Sequence, residues 1–221
     1  MMTCLQVANP CYAFYPRGSE TLIVWFGGIN EPYISENLAL ETNVDVLAVR
    51  DVKFSWYMNG ILDEQESVEA GMEWLSSVIS PYRHVAFCGQ SSGGYGAMLY
   101  GALCKADLCI AFSPQTRNMA DGQNHIVPRQ KLVDLRTVYE HDAPKPRLIL
   151  NLARSEKDHE DSFFWDDWRQ VEYFRNLSFC TLLVHPFDNH SVSVCLRNEG
   201  RLYRLISGLL WAYLPGCAKL R

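Results

Sequence analysis

The apolar positions of this chain fall in short unbroken runs rather than in strict alternation. Thr21-Leu22-Ile23-Val24-Trp25-Phe26 stops at Gly27-Gly28. Val44 to Val49, Val85 to Cys88, Leu108 to Phe112, Leu148 to Leu152 and Thr181 to His185 follow. Continuous runs of this length suit strands buried on both faces, as in a parallel sheet. Between them, apolar positions recur at helical spacing. Glu64 to Ile79 sets Val68, Met72, Leu75 and Ile79 on one face, and Asp161 to Asn176 does the same with Phe164, Trp168 and Val171. Gly94 to Cys104 is small and apolar, like a central buried helix, and Ser191 to Leu214 predicts a terminal helical segment. Alternating strand and helix predicts an α/β fold, a mostly parallel sheet flanked by helices. Cys11 to Tyr15 is expected to add an antiparallel edge strand. The stretch 115–147 is the least regular. It holds one expected helix near Arg129–Tyr139 and is read as a short flap inserted in a single domain spanning 1–221.

Composition narrows the function classes. The chain has 221 residues, 48% of them hydrophobic and 20% charged, with a net charge of −5. That is ordinary for a soluble globular domain, and the acidic balance argues against nucleic acid as a partner. No run reaches the ~18–20 apolar residues needed to span a bilayer. Met1 to Pro16 lacks the basic start and apolar stretch of a signal peptide, so a cytoplasmic location is expected. The eight cysteines form no CxxC pair. They read as free thiols in a reducing compartment, without a disulfide framework or a metal site. No cofactor is implied.

The chemistry concentrates at residues 85–97, Val-Ala-Phe-Cys-Gly-Gln-Ser-Ser-Gly-Gly-Tyr-Gly-Ala. A predicted strand runs into Gly89-Gln90-Ser91-Ser92-Gly93, and a predicted helix runs out. This is G-x-S-x-G in the strand–turn–helix setting that strains the central residue and lifts its hydroxyl above the sheet. Gly89 and Gly93 are expected because a Cβ at either would collide where strand and helix cross. Ser91 is the candidate nucleophile for acyl transfer. No Gly-Lys-Ser/Thr follows, which excludes a Walker-type phosphate loop.

A serine hydroxyl needs a base, and the base needs an orienting acid. His190 follows the last predicted strand directly and is the candidate base. His185, at the strand end before Pro186, reads as structural. The acid is expected after the fifth of these strands, where Asp158 is the choice and Glu156 the alternative. Asp161 reads as a helix-start residue, and Trp165-Asp166-Asp167-Trp168 reads as a helix face. The backbone N–H of Ser92 and that of Gly28, with Ile29 next in line, are the expected oxyanion donors. Ile29, Gln90, Trp56 and Tyr57 are expected to contact substrate. Tyr33, Tyr95 and Phe163 are further candidates for the rim.

Phe26-Gly27-Gly28, Gly89-Gln90-Ser91-Ser92-Gly93-Gly94-Tyr95-Gly96-Ala97, the loop with Asp158 and Asp188-Asn189-His190 together resemble the α/β-hydrolase superfamily. The resemblance covers about residues 20 to 214. It implies a three-layer αβα sandwich with a minimal cap and a Ser-His-Asp triad acting on esters, thioesters or amides, such as an acylated sugar. The histidine usual before the oxyanion glycine is Phe26 here. Val49-Arg50-Asp51 and Ser55-Trp56-Tyr57 are also similar to small hydrolase-like proteins found with bacterial surface-polysaccharide genes. Two alternatives stay open: an acyltransferase with the same triad, and a non-catalytic binding or assembly protein.

Overall fold

The computed structural model describes residues 9–29, 36–117, 132–140, 144–154 and 167–214. Seven strands form one sheet: β1 (Tyr12–Tyr15), β2 (Thr21–Phe26), β3 (Asp45–Val49), β4 (His84–Gln90), β5 (Leu108–Phe112), β6 (Arg147–Ala153) and β7 (Cys180–His185). Their order across the sheet is β1-β3-β2-β4-β5-β6-β7. β1 alone runs antiparallel, pairing Tyr12 with Val49 and Tyr15 with Val46. The other neighbours are parallel, so their carboxyl ends share one edge.

The unbroken apolar runs follow from burial on both faces. Along β2, Leu22, Val24 and Phe26 enter one core while Ile23 and Trp25 enter the other. Along β4, Val85 and Phe87 face the first core, and Ala86 and Cys88 the second. The first core is covered by α2 (Val68–Ile79), α3 (Ser92–Leu103), α4 (Leu135–Glu140) and α5 (Asp167–Val171). The second is covered by α1 (Glu36–Thr42), α6 (Val192–Asn198) and α7 (Leu202–Tyr213). Alternate side chains of each strand thus meet a different helical layer. α2 begins at Ser67, whose Oγ accepts the Ala70 N–H at 3.2 Å, as an N-cap should.

Two elements differ from expectation. The terminal segment is two helices, not one. Gly200 has φ of +68°, and its N–H and that of Arg201 close back on Arg197 and Leu196. A glycine accepts the left-handed turn that ends α6. The helix near Arg129–Tyr139 is a short α4, and the flap expected at 115–147 falls partly on 118–131 and 141–143, outside the described residues. No helix among the described residues is long and apolar enough to cross a membrane.

Candidate active site

The strand-to-helix turn places Ser91 at the carboxyl edge of the sheet. Its backbone has φ 57° and ψ −119°. This region is costly for any residue with a Cβ, on the order of 1–3 kcal/mol. The strain is held on both sides. The Ser91 N–H donates to the Phe112 carbonyl at 2.9 Å, and the Ser91 carbonyl accepts from the Tyr95 N–H at 3.0 Å. A Cβ on Gly89 would come within 2.2 Å of the Gly93 carbonyl oxygen, and one on Gly93 within 2.1 Å of the Phe26 carbonyl oxygen. Only glycine lets α3 settle so closely on β4 and β2. Ser91 sits at the N-cap position of α3, yet its side chain makes no capping bond. The hydroxyl is thus not spent on the cap that an N-cap serine ordinarily makes.

His190 lies in the loop between β7 and α6. Its Nδ1 is 2.8 Å from Asp167 Oδ1 and 3.1 Å from Oδ2. An ionised carboxylate only accepts, so the imidazole proton sits on Nδ1 and Nε2 is left as the basic nitrogen. Nε2 is buried. Asp167 opens α5, and its side chain is 10% exposed against 21% for His190. The His190 loop is brought to the Ser91 turn by Gln90. Its Nε2 donates to the His190 carbonyl at 3.0 Å, and its Oε1 accepts the Ser193 N–H at 3.0 Å.

α5 spans five residues, too short to persist by itself. Three side chains fasten it. Trp168 Nε1 donates to the Ala153 carbonyl at 3.2 Å. Val171 is fully buried in the first core. Gln170 Oε1 accepts the N–H groups of Thr116 and Arg117 at 2.8 and 3.2 Å, and the Thr116 hydroxyl donates to the Gln170 carbonyl at 2.6 Å. The loop after β5, which starts beside Ser91, therefore holds the helix that carries Asp167.

The first turn of α3 faces the loop after β2. The Ile29 N–H donates to Ser92 Oγ at 3.2 Å, drawing Gly28 and Ile29 against the helix N-terminus. The base of that loop is fixed by Tyr57, whose hydroxyl donates to the Gly27 carbonyl at 2.7 Å. Tyr57 is itself held in a strained turn. Phe54, Trp56 and Tyr57 have φ of 52°, 58° and 63°. The Asp51 carboxylate accepts the Trp56 N–H at 2.5 Å and the Ser55 hydroxyl at 3.3 Å. Burial pushes the Asp51 carboxyl above its ordinary range, while the N–H groups around it pull it back down.

No family model matches the chain, and no curated protein matches it. Solved structures do. An esterase of Pyrococcus furiosus, PF2001, superposes with a TM-score of 0.64 at 16% identity, covering 92% of this chain and 86% of that one. The capsule O-acetyltransferase of Neisseria meningitidis serogroup A gives 0.57 at 16% identity, with 89% and 90% covered. FphF, a fluorophosphonate-binding serine hydrolase of Staphylococcus aureus, gives 0.55 at 14% identity, with 87% and 82% covered. The chain has the α/β-hydrolase fold.

On this α/β-hydrolase frame the expected site residues fall into three groups. Ser91, Ser92, Gly28, Ile29 and His190 lie at the carboxyl edge, on the loops that follow β4, β2 and β7. Three expected substrate contacts are buried. Trp56 is 3% exposed, Tyr57 is fully buried, and Gln90 is 4% exposed with its amide committed to His190 and Ser193. Each is occupied in holding a loop or filling the core rather than facing a ligand. Tyr95 is likewise buried, its hydroxyl donating to the Val133 carbonyl at 3.1 Å. Asp158, Glu156, Tyr33 and Phe163 lie outside the described residues.

Among the described residues the carboxylate on His190 is Asp167, in the stretch that the sequence suggested was a helix face; the expected Asp158 lies outside those residues. The available signal was a carboxylate in the first turn of a short helix after β6. His185 is structural: its Nε2 lies 3.0 Å from Asn151 Oδ1, and burial pushes its imidazole below the ordinary value. Phe26, in the place of the usual histidine, packs edge-on to Tyr57 at 5.1 Å and stacks on Tyr100 at 5.8 Å under α3.

Proposed function

We propose that this protein is a serine hydrolase that cleaves an ester through an acyl-enzyme at Ser91. The observation that carries the reading is the strained, non-capping Ser91 turn tied through Gln90 to a histidine whose Nδ1 is held by Asp167. Ser91 attacks the acyl carbonyl as His190 Nε2 takes its proton. Asp167 keeps the imidazole in the working tautomer and stabilises the imidazolium. The developing oxyanion is received by the Ser92 N–H, at the positive end of α3, and by the Gly28 N–H. Each such donor is worth about 3–4 kcal/mol. His190 then protonates the leaving group and activates water to release the acyl group.

The substrate class in this reading is a small acyl ester, including acylated sugars. Transfer of the acyl group to a saccharide hydroxyl instead of water is the second reading. It is supported by the likeness to a capsule O-acetyltransferase. Both use the same triad and differ in whether water or an acceptor hydroxyl reaches the acyl-enzyme.

Incubation with a fluorophosphonate probe tests the proposal. Wild type should be labelled at Ser91 by mass spectrometry, and Ser91→Ala should not. A panel of p-nitrophenyl esters and acetylated sugars, with and without an acceptor saccharide, then separates hydrolysis from transfer. Folded wild-type protein that is neither labelled nor active from neutral to mildly alkaline pH overturns it in favour of a binding or assembly role.

A further inference from the structure

Gln90 is the last residue of β4 and stands immediately before Ser91. It shares its strand face with Ala86 and Cys88, which pack in the second core beside α6 and α7. Its side chain therefore emerges beneath the start of α6. A buried amide is unfavourable there unless its polar atoms are paired, and this one is paired at both ends. Nε2 reaches the His190 carbonyl and Oε1 reaches the Ser193 N–H, each at 3.0 Å. Ser193 lies in the first turn of α6, where its N–H has no partner within the helix. Gln90 thus caps α6 from a distance of about a hundred residues in sequence and clamps the backbone of the base in the same act.

Other ties also reach this loop, among them the His190 ring on Asp167 at 2.8 Å and the Arg154 N–H on the Phe187 carbonyl at 3.2 Å. Arg154 and Asp188 form an exposed ion pair at 3.2 Å, and Asn189 Oδ1 accepts the N–H of Ser191 two residues on. The Val192 N–H donates to the same His190 carbonyl at 2.9 Å, which shapes the turn but does not tie it to the sheet. We propose that Gln90 is a positioning residue of the catalytic apparatus: its amide fixes the His190 backbone relative to the Ser91 turn, so the identity of the residue before the nucleophile sets the register between nucleophile and base. This rests on the reading of Ser91 and His190 as nucleophile and base.

The reasoning predicts a large kinetic effect from a residue that touches no substrate, because a displacement of about 1 Å in a catalytic group can cost about a hundredfold. Gln90→Met conserves side-chain bulk and removes both hydrogen bonds. Gln90→Glu keeps an acceptor for Ser193 and sets an oxygen against the His190 carbonyl. Two readouts are needed. The first is the second-order rate of fluorophosphonate labelling. The second is solvent exchange of the His190 Nδ1 proton by low-field NMR, assigned by its loss in Asp167→Asn.

Both variants should be folded by circular dichroism, be labelled at least tenfold more slowly, and exchange that proton at least tenfold faster. A smaller change in either readout overturns the proposal, because slower labelling with an undisturbed imidazole proton means a structural role only. If Gln90→Met does not fold, Gln90→Glu decides. If wild type itself is not labelled, the hydrolase reading fails on its own, and proton exchange alone decides whether Gln90 positions His190.

Discussion

Replacing Asp167 by asparagine is the sharpest perturbation available, because it changes charge and tautomer with almost no change in shape. In the native site His190 Nδ1 faces two carboxylate oxygens at 2.8 and 3.1 Å, and both accept. An asparagine turned to present its NH₂ group makes Nδ1 the acceptor and moves the imidazole proton to Nε2. The nitrogen that should take the Ser91 proton then carries one already. The expected loss is about 10³- to 10⁴-fold in the acylation rate, or about 4–5.5 kcal/mol of barrier. Stability should move far less. The carboxylate is nearly buried, so neutralising it returns desolvation free energy that offsets part of the lost charge-assisted bond. The assay is the second-order rate of fluorophosphonate labelling, with denaturant midpoints as the control on folding. Asp158→Asn and Glu156→Gln serve as comparisons and should stay within about threefold of wild type, because the acid's place on His190 Nδ1 is taken by Asp167. A collapse of labelling in Asp158→Asn, with Asp167→Asn near wild type, would refute the assignment and restore the carboxylate expected from sequence.

Three further outcomes follow from the same geometry. Ser91→Gly and Ser91→Ala should both abolish labelling, but the glycine variant should be the more stable by about 1 kcal/mol. It relieves a strained φ/ψ worth about 1–3 kcal/mol at some entropic cost, and equal melting temperatures would show that the turn is not strained. Tyr57→Phe removes the hydroxyl that holds the Gly27 carbonyl and should cost about 1–3 kcal/mol by denaturant unfolding. It should also slow labelling by loosening the Gly28 loop; an unchanged labelling rate would separate Tyr57 from the oxyanion donors. Burial pushes His185 below its ordinary value, so the unfolded chain takes up that proton first as pH falls. Its contribution is therefore fully present above about pH 6.5 and is lost as pH drops from there through the lower folded-state value. His185→Gln should flatten this part of the stability–pH curve, and an unchanged slope would assign the acid sensitivity to other groups.

Much of this architecture was written in local pattern. The double-sided burial of β2 to β6 leaves unbroken apolar runs, and the close crossing at Gly89 and Gly93 leaves G-x-S-x-G, so the layered α/β design and Ser91 were both legible in one dimension. The position of His190 in the fold was legible because the end of β7 and the start of α6 bracket it. The end of α6 was less so, since Gly200 breaks a pattern whose apolar period continues into α7.

Other features depend on which residues meet across the fold. Asp167 becomes the partner of His190 because Gln170, Trp168 and Val171 fasten a five-residue helix to the loop after β5, to the end of β6 and to the first core. Carboxylates at 156, 158, 161, 166 and 167 look alike in sequence, where nothing records which one is carried to His190. Gln90, Trp56 and Tyr57 looked like ligand contacts because polar and aromatic residues beside a nucleophile resemble a pocket lining. In three dimensions the sheet directs Gln90 under α6, and Asp51 turns Trp56 and Tyr57 into the core. Periodicity carries the direction of side chains relative to their own strand or helix, but the partner of a buried polar group is set by long-range packing, and that is decided only when the layers close.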